Sequence, residues 1–222
     1  MSEKIKLVQR VEFIKEACRG KKVLHLGCTD YPFTERVIAS DMLLHFKLAE
    51  IASELYGFDF DQAGIDILRT HGVQNIYRAD LEKLDEVDLN EKFDVIIAGE
   101  MIEHLSNPGL FLRGIRRFMK ADASLIITTI NAYGGLRFAL YSLRGKGGTN
   151  ESVHPDHVSY YSYSTLNLIL KRENFRVREF YFYDIGPEHR QHLPWHYKIV
   201  NDVCVKVSPQ LADGVIAVCN LG

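Results

Sequence analysis

At 222 residues, with 46% apolar and 25% charged side chains and a formal net charge of −2, the chain has the length and make-up of one soluble α/β domain. It has no basic excess, which argues against a nucleic-acid partner, since phosphate binding needs clustered lysine and arginine. Four scattered cysteines (Cys18, Cys28, Cys204, Cys219), an N-terminus lacking an apolar signal core, and no apolar run near the ~18 residues that span a bilayer point to a cytoplasmic protein without zinc ribbons, disulfides or transmembrane segments.

Ile5, Val8, Val11, Phe13, Ile14 and Ala17 recur at helical spacing, which predicts an amphipathic helix over residues 3–19 closed by Gly20. Residues 22–26 form the first strand. A long helix capped by Thr34 runs to about residue 54 and leads into a strand over 55–58. A helix over 62–70 then stops at Gly72, and a short strand covers 74–78. The continuous apolar run 93–98 reads as a central parallel strand covered on both faces.

Asn107-Pro108 supplies the cap and first residue of a helix to about residue 120, followed by a β-branched strand over 124–130. Residues 131–160, rich in glycine, tyrosine and basic side chains, break the alternation and read as a substrate lid within a single domain over 1–222. Ser164 caps a helix to about residue 173. The last strands are 176–183 and 214–219, with a helix over 195–207 between them. Five alternating strand–helix units predict a mainly parallel sheet with helices on both faces, binding ligands at the C-terminal ends of its strands.

Two of those ends carry the clearest chemistry. The run Val23-Leu24-His25-Leu26 ends at Gly27, and the run Leu55-Tyr56-Gly57-Phe58 ends at Asp59. A glycine lets a ligand approach the backbone, and an acid at the next strand's end accepts both ribose hydroxyls. After Gly27 the chain reads Cys28-Thr29-Asp30, so the G-x-G-x-x-G pyrophosphate cradle is missing and a nucleoside cofactor without pyrophosphate fits better. Asp61 suits the N-cap of the following helix.

With these segments in place, the chain resembles the class I S-adenosylmethionine-dependent methyltransferases over about residues 20–183. VLHLGC, YGFDFD and YRADLEKL match the first three motifs, and FDVIIAGEMIEHLSNPGLFLRGIRRFMKADASLIITTIN matches the fourth strand through the fifth. GEMIEHL and HPDHVSYYSYSTL are similar to the quinone-pathway and glycan O-methyltransferase subgroup. The resemblance implies a Rossmann-like, seven-stranded sheet with an antiparallel last strand. It also implies S-adenosylmethionine as cofactor, S-adenosylhomocysteine as product, and His25, Gly27, Cys28, Asp59, Phe60, Asp80, Leu81, Gly99 and Glu100 around them. The chain departs from the family at His25, where an acid is usual, and at Thr29, where a second glycine is usual. Losing that glycine adds a side chain where the backbone meets the cofactor's methionine half.

Asp80 reads either as an acceptor for the adenine amino group, with Leu81 on the purine face, or as a solvated loop acid. Glu100, Glu103 and His104 share one face of a helical turn at i, i+3 and i+4. That face could hold a divalent metal, as the quinone-pathway resemblance implies, or form a base oriented by an acid, but the preferred reading has no metal and His104 shaping the turn. His154 and His157 flank Pro155-Asp156, and the segment reads equally as a source of a general base, with His157 favoured over His154, or as a turn in which Asp156 caps backbone amides. His104 is the other candidate base. Tyr133, Arg137, Tyr141 and Arg144 in the lid read as a substrate grip, a peripheral membrane contact or a solvated helix face. The expected activity is O-methylation of a hydroxyl on a small-molecule or saccharide-type acceptor. N- or C-methylation of a metabolite and a catalytically degenerate scaffold subunit are the alternatives.

Overall fold

A computed structural model describes residues 5–144 and 156–222. In chain order its first half comprises β1 (Leu7–Val8), α1 (Arg10–Cys18), β2 (Lys22–Leu26), α2 (Thr34–Ala39), α3 (Leu44–Ala49), β3 (Glu54–Asp59), α4 (Gln62–Thr70) and β4 (Ile76–Arg78). There follow β5 (Phe93–Gly99), α5 (Pro108–Ile115), β6 (Met119–Ile130), α6 (Gly135–Arg144), α7 (Tyr163–Arg172) and β7 (Phe175–Tyr183). The described chain closes with α8 (Pro187–Arg190), α9 (Trp195–Val207) and β8 (Gly214–Leu221).

The strands form one sheet in the order β1-β7-β8-β6-β5-β2-β3-β4. All pairings are parallel except those of β8, which runs antiparallel to both β6 and β7. The mainly parallel sheet and its antiparallel last strand agree with the sequence reading, but there are eight strands where seven were expected. The extra one is β1, whose Leu7 and Val8 extend the sheet beside Phe182 and Tyr183. The predicted helix over 3–19 shortens accordingly, because Gln9 acts as its N-cap, its side chain accepting from Glu12 N at 2.6 Å.

Alternation within the strands sorts the core into two layers. On one face Leu24, Leu26, Ile96, Ala98, Leu125 and Ile127 pack beneath Phe111 and Leu112 of α5 and Leu166 and Leu170 of α7. On the other, Val23, Val95, Ile97, Ile126 and Ile216 pack beneath Ile14 and Cys18 of α1 and Leu48 of α3. β5 is therefore covered on both faces, as its unbroken apolar run requires.

Three element ends differ from their sequence reading for local reasons. The long helix from Thr34 is broken into α2 and α3, because the Ser40 hydroxyl bonds back to Arg36 O at 2.6 Å and Asp41 adopts φ +53°. Phe33, not Thr34, is the N-cap of α2. The cap of α7 is Ser162 rather than Ser164, because Ser162 and Thr165 form a reciprocal capping box.

The chain after β6 is tied down at Asn131, whose Nδ2 donates to Gln210 O and Ala212 O at 2.8 Å each. Beyond it, α6 packs on α9 so closely that a Cβ on Gly135 would lie 2.6 Å from Cys204 Cβ. Among the described residues, no helix is long and apolar enough to cross a membrane.

Candidate active site

The C-terminal ends of β3, β2 and β5 lie side by side, since β2 pairs with both of the others. Gly27 follows β2 at φ +68°, and its amide donates to Phe58 O at 2.9 Å. A Cβ there would meet nothing nearer than Met101 Cβ at 3.8 Å. The left-handed backbone, rather than packing, is what calls for glycine, and the space above it stays open.

Asp59 ends β3 and is 9% exposed. Its Oδ2 accepts from Thr29 N at 2.9 Å and its Oδ1 from Asp61 N at 3.0 Å, so one carboxylate ties the loop after β2 to the start of α4. Each oxygen retains a lone pair for a ribose hydroxyl. Asp61 caps α4 as its sequence position suggested, accepting from Ala63 N and Gly64 N.

The departures from the family's first motif leave the cleft clear. His25 is 3% exposed, and its Nδ1 lies 3.2 Å from His45 Nδ1 on α3. Its ring faces the helical layer at α3. Burial, then His45 and Arg10, push its pKa well below the usual 6.5, and burial takes His45 to about 4.

Cys28 is fully buried, its thiol pushed far up by burial, and a Cβ on Gly57 would stand 2.7 Å from its Sγ. Only its backbone borders the turn. The Thr29 side chain, expected to crowd the methionine half, is buried against α4 instead, where Gly64 leaves room for its Cβ and Cγ2.

At the rim, Phe60 is 63% exposed beneath the Arg78 guanidinium, whose Cζ stands 5.0 Å from the ring centre. Asp80 follows β4; its Oδ1 accepts from Glu82 N at 2.9 Å, its Oδ2 lies 3.8 Å from Lys83 Nζ, and Leu81 packs on the core beside it.

At the end of β5, Gly99 closes against Arg10: a Cβ there would sit 3.1 Å from Arg10 Nη2. Glu100 adopts φ +52°, and its amide donates to Thr128 O at 2.8 Å. Its Oε1 accepts from the Tyr183 hydroxyl at 2.6 Å and its Oε2 lies 3.8 Å from Arg10 Nη2. Burial works against the charge, but Arg10, the Tyr183 hydrogen bond, His189 and Arg137 outweigh it and hold the carboxyl below its ordinary value.

Glu100 therefore parts from Glu103 and His104. A short 3-10 turn over Ile102–His104 replaces the regular helix in which the three would have shared a face. His157 joins the latter two: ligand atoms of Glu103, His104 and His157 all lie within 4.8 Å of one another. The two imidazoles stand edge to face at 4.6 Å, and His104 Nδ1 lies 3.2 Å from Asp156 O. The segment is fastened by Val158 N and Ser159 N, which both donate to Glu103 O.

Glu103 is fully buried, with Oε2 accepting from Thr129 Oγ1 at 2.9 Å and no hydrogen bond to Oε1. Burial, reinforced by the Glu100 charge, pushes its carboxyl up to about 7. His154 lies outside the described residues.

Arg10, Gly64, Tyr183 and Gly214 were not marked in the sequence. Each depends on a partner distant in the chain, and no local spacing reveals them.

This arrangement fits an S-adenosyl nucleoside: an open left-handed turn, an acid with free lone pairs at the ribose end, and opposite charges beyond β5. A profile of the family described as "Methyltransferase domain" matches residues 3–179. The chain is 24% identical over 216 residues to a ubiquinone biosynthesis O-methyltransferase of Pseudomonas aeruginosa, covering 90% of this chain and 83% of that protein. It is 30% identical over 129 residues to the enzyme of that name from Hahella chejuensis, a match spanning 55% of this chain and about half (49%) of the relative. The fold superposes on a SAM dependent methyltransferase from Archaeoglobus fulgidus with a TM-score of 0.61 at 17% identity, covering 95% of this chain and 91% of the other.

Proposed function

The chain belongs to the methyltransferase-domain family, and on that premise we propose that it uses S-adenosylmethionine to methylate a hydroxyl oxygen of a small organic acceptor. Bound S-adenosylmethionine supplies an electrophilic methyl group on a sulfonium, open to in-line displacement. Asp59 would accept the ribose hydroxyls, Asp80 the adenine amino group, and Gly27 would admit the cofactor to the backbone. Beyond β5, the Arg10 guanidinium and Glu100 carboxylate offer a cation and an anion to the carboxylate and ammonium of the methionine end.

The observation that carries the oxygen reading is the Glu103–His104–His157 group, in which the turn after β5 meets the segment before α7. A neutral hydroxyl needs a base, and a positioned imidazole adds roughly 10²–10⁴-fold to such a step. His157 is the base in this reading, with His104 against its ring and the Glu103 carboxyl behind. The names of the two relatives, both O-methyltransferases of ubiquinone biosynthesis, support an oxygen acceptor on a small molecule.

A second reading of the same group is favoured by its donor set. Two imidazoles and a carboxylate within 4.8 Å suit a divalent cation, whose charge would keep Glu103 ionised. A saccharide-type acceptor remains the second substrate class, with Tyr133, Arg137 and Tyr141 on or beside α6 as its contacts.

The test is methyl transfer from labelled S-adenosylmethionine to a panel of catechols, phenolic acids and saccharides, with the product's methylated atom assigned by NMR. Transfer to oxygen that falls at least about 100-fold in His157→Ala supports the reading. A methyl group found on nitrogen or carbon would overturn it.

A further inference from the structure

Tyr183 ends β7, is 3% exposed, and directs its hydroxyl at Glu100 Oε1, with Thr129 O the next acceptor at 3.3 Å. Antiparallel pairing sets Gly214, the first residue of β8, directly opposite. A Cβ on Gly214 would overlap the Tyr183 ring carbon Cζ and its hydroxyl oxygen. The ring thus lies across the bare face of the glycine, a path that any side chain at 214 would close. The Arg10 guanidinium also lies over the ring, its Cζ 5.9 Å from the ring centre. The hydroxyl keeps its proton, since burial and the neighbouring Glu100 charge raise its pKa well above 10. It is a fixed donor.

Glu100 needs such an anchor. Its φ of +52° is costly for a residue with a side chain, and the conformation persists only where surroundings hold it. We propose that Tyr183, admitted by Gly214, is the positioning residue that aims the Glu100 carboxylate at the amino-acid end of S-adenosylmethionine. The proposal rests on the role given to Glu100 above.

Two ligands separate this role from a merely structural one. S-Adenosylhomocysteine carries the amino-acid end; 5′-methylthioadenosine keeps the nucleoside and thioether and lacks it. Calorimetric titration of both into wild type, Glu100→Gln, Tyr183→Phe and Gly214→Ala gives the answer. In Tyr183→Phe, S-adenosylhomocysteine should weaken about tenfold, the scale of one hydrogen bond to a charged group, while methylthioadenosine stays within about twofold. Gly214→Ala should reproduce this by displacing the ring with its hydroxyl intact.

If Glu100→Gln weakens S-adenosylhomocysteine selectively and Tyr183→Phe leaves it unchanged, the proposal for Tyr183 is overturned and the reading of Glu100 stands. If Glu100→Gln leaves both ligands unchanged, both fall together. An equal loss of the two ligands in Tyr183→Phe also overturns the proposal, since it marks a general loosening of the fold.

Discussion

Thr29 and Gly64 form a matched pair: a Cβ on Gly64 would lie 2.8 Å from both Cβ and Cγ2 of Thr29. The loop after β2 carries a side chain where the family usually has glycine, and α4 gives up its own side chain to receive it. The space above Gly27 stays clear as a result.

Gly64→Ala should therefore cost on the order of 1–3 kcal/mol by overpacking and weaken S-adenosylhomocysteine binding, because the displaced Thr29 disturbs the loop that Asp59 holds. The double variant Thr29→Gly/Gly64→Ala should recover only part of both, since Asp61 Oδ2, 2.5 Å from the same Cβ, still has to shift. Urea denaturation and calorimetry on the full cycle measure the coupling. Additive losses would show the two residues to be independent.

Asp59→Ala removes the acceptor of two backbone amides as well as the proposed ribose partner. Cofactor affinity should fall at least about 100-fold, since each hydrogen bond to a charged group contributes roughly 1.5–3 kcal/mol. Asp61→Ala, which loses only a helix cap, should lower stability by about 1 kcal/mol with a much smaller change in affinity. Similar affinities for the two variants would place the ribose elsewhere.

The His25–His45 pair makes the fold acid-sensitive. Both imidazoles are buried and held below the unfolded value of 6.5, His45 at about 4. The unfolded chain therefore binds more protons between about pH 6.5 and 4, and stability is lost as the pH falls through that window. His45 alone accounts for roughly 3 kcal/mol of that loss at about 1.4 kcal/mol per unit. Urea midpoints measured from pH 7.5 down to 4.5 should fall steeply in the wild type. A His25→Leu/His45→Leu variant should show a shallower slope; an unchanged slope would assign the acid sensitivity to other groups.

Glu103 behaves in the opposite sense. Its folded pKa of about 7 lies above the ordinary 4.5, so its burial contributes a stability term that is lost as the pH rises from 4.5 through 7. If the anion supports His157, the methyl-transfer rate should climb over the same upper range as Glu103 ionises, with a limb near pH 7. Glu103→Gln should remove that limb and lower kcat. A wild-type profile flat from pH 6 to 8 would exclude the coupling.

A divalent cation at Glu103, His104 and His157 would show as loss of activity on dialysis against EDTA and recovery with added magnesium, manganese or zinc. Isothermal titration of the metals into wild type and His157→Ala should then give binding in the first only. Activity indifferent to EDTA leaves the general-base reading of the group.

What could be read from the sequence was what local pattern encodes. Apolar runs of β length, the glycine after residues 22–26, the acid after residues 55–58 and the Asn107-Pro108 start were all legible, because each reports its own backbone geometry or burial. Gly27 and Asp59 followed from their place at strand ends alone. Even Asp61 was separable from Asp59, since a cap needs only the residues just after it.

The tertiary structure decided where the remaining side chains went. One-dimensional helical spacing put Glu100, Glu103 and His104 on a common face. A positive φ at Glu100 and a 3-10 turn sent Glu100 to Arg10 and Tyr183, and left the other two for His157. Tyr183 and Glu100 are 83 residues apart, and their contact depends on β8 presenting a glycine at one register position. Backbone propensity acts between near neighbours and so is written locally. Hydrogen bonds, ion pairs and steric allowance act through space, and only the packed sheet sets those distances.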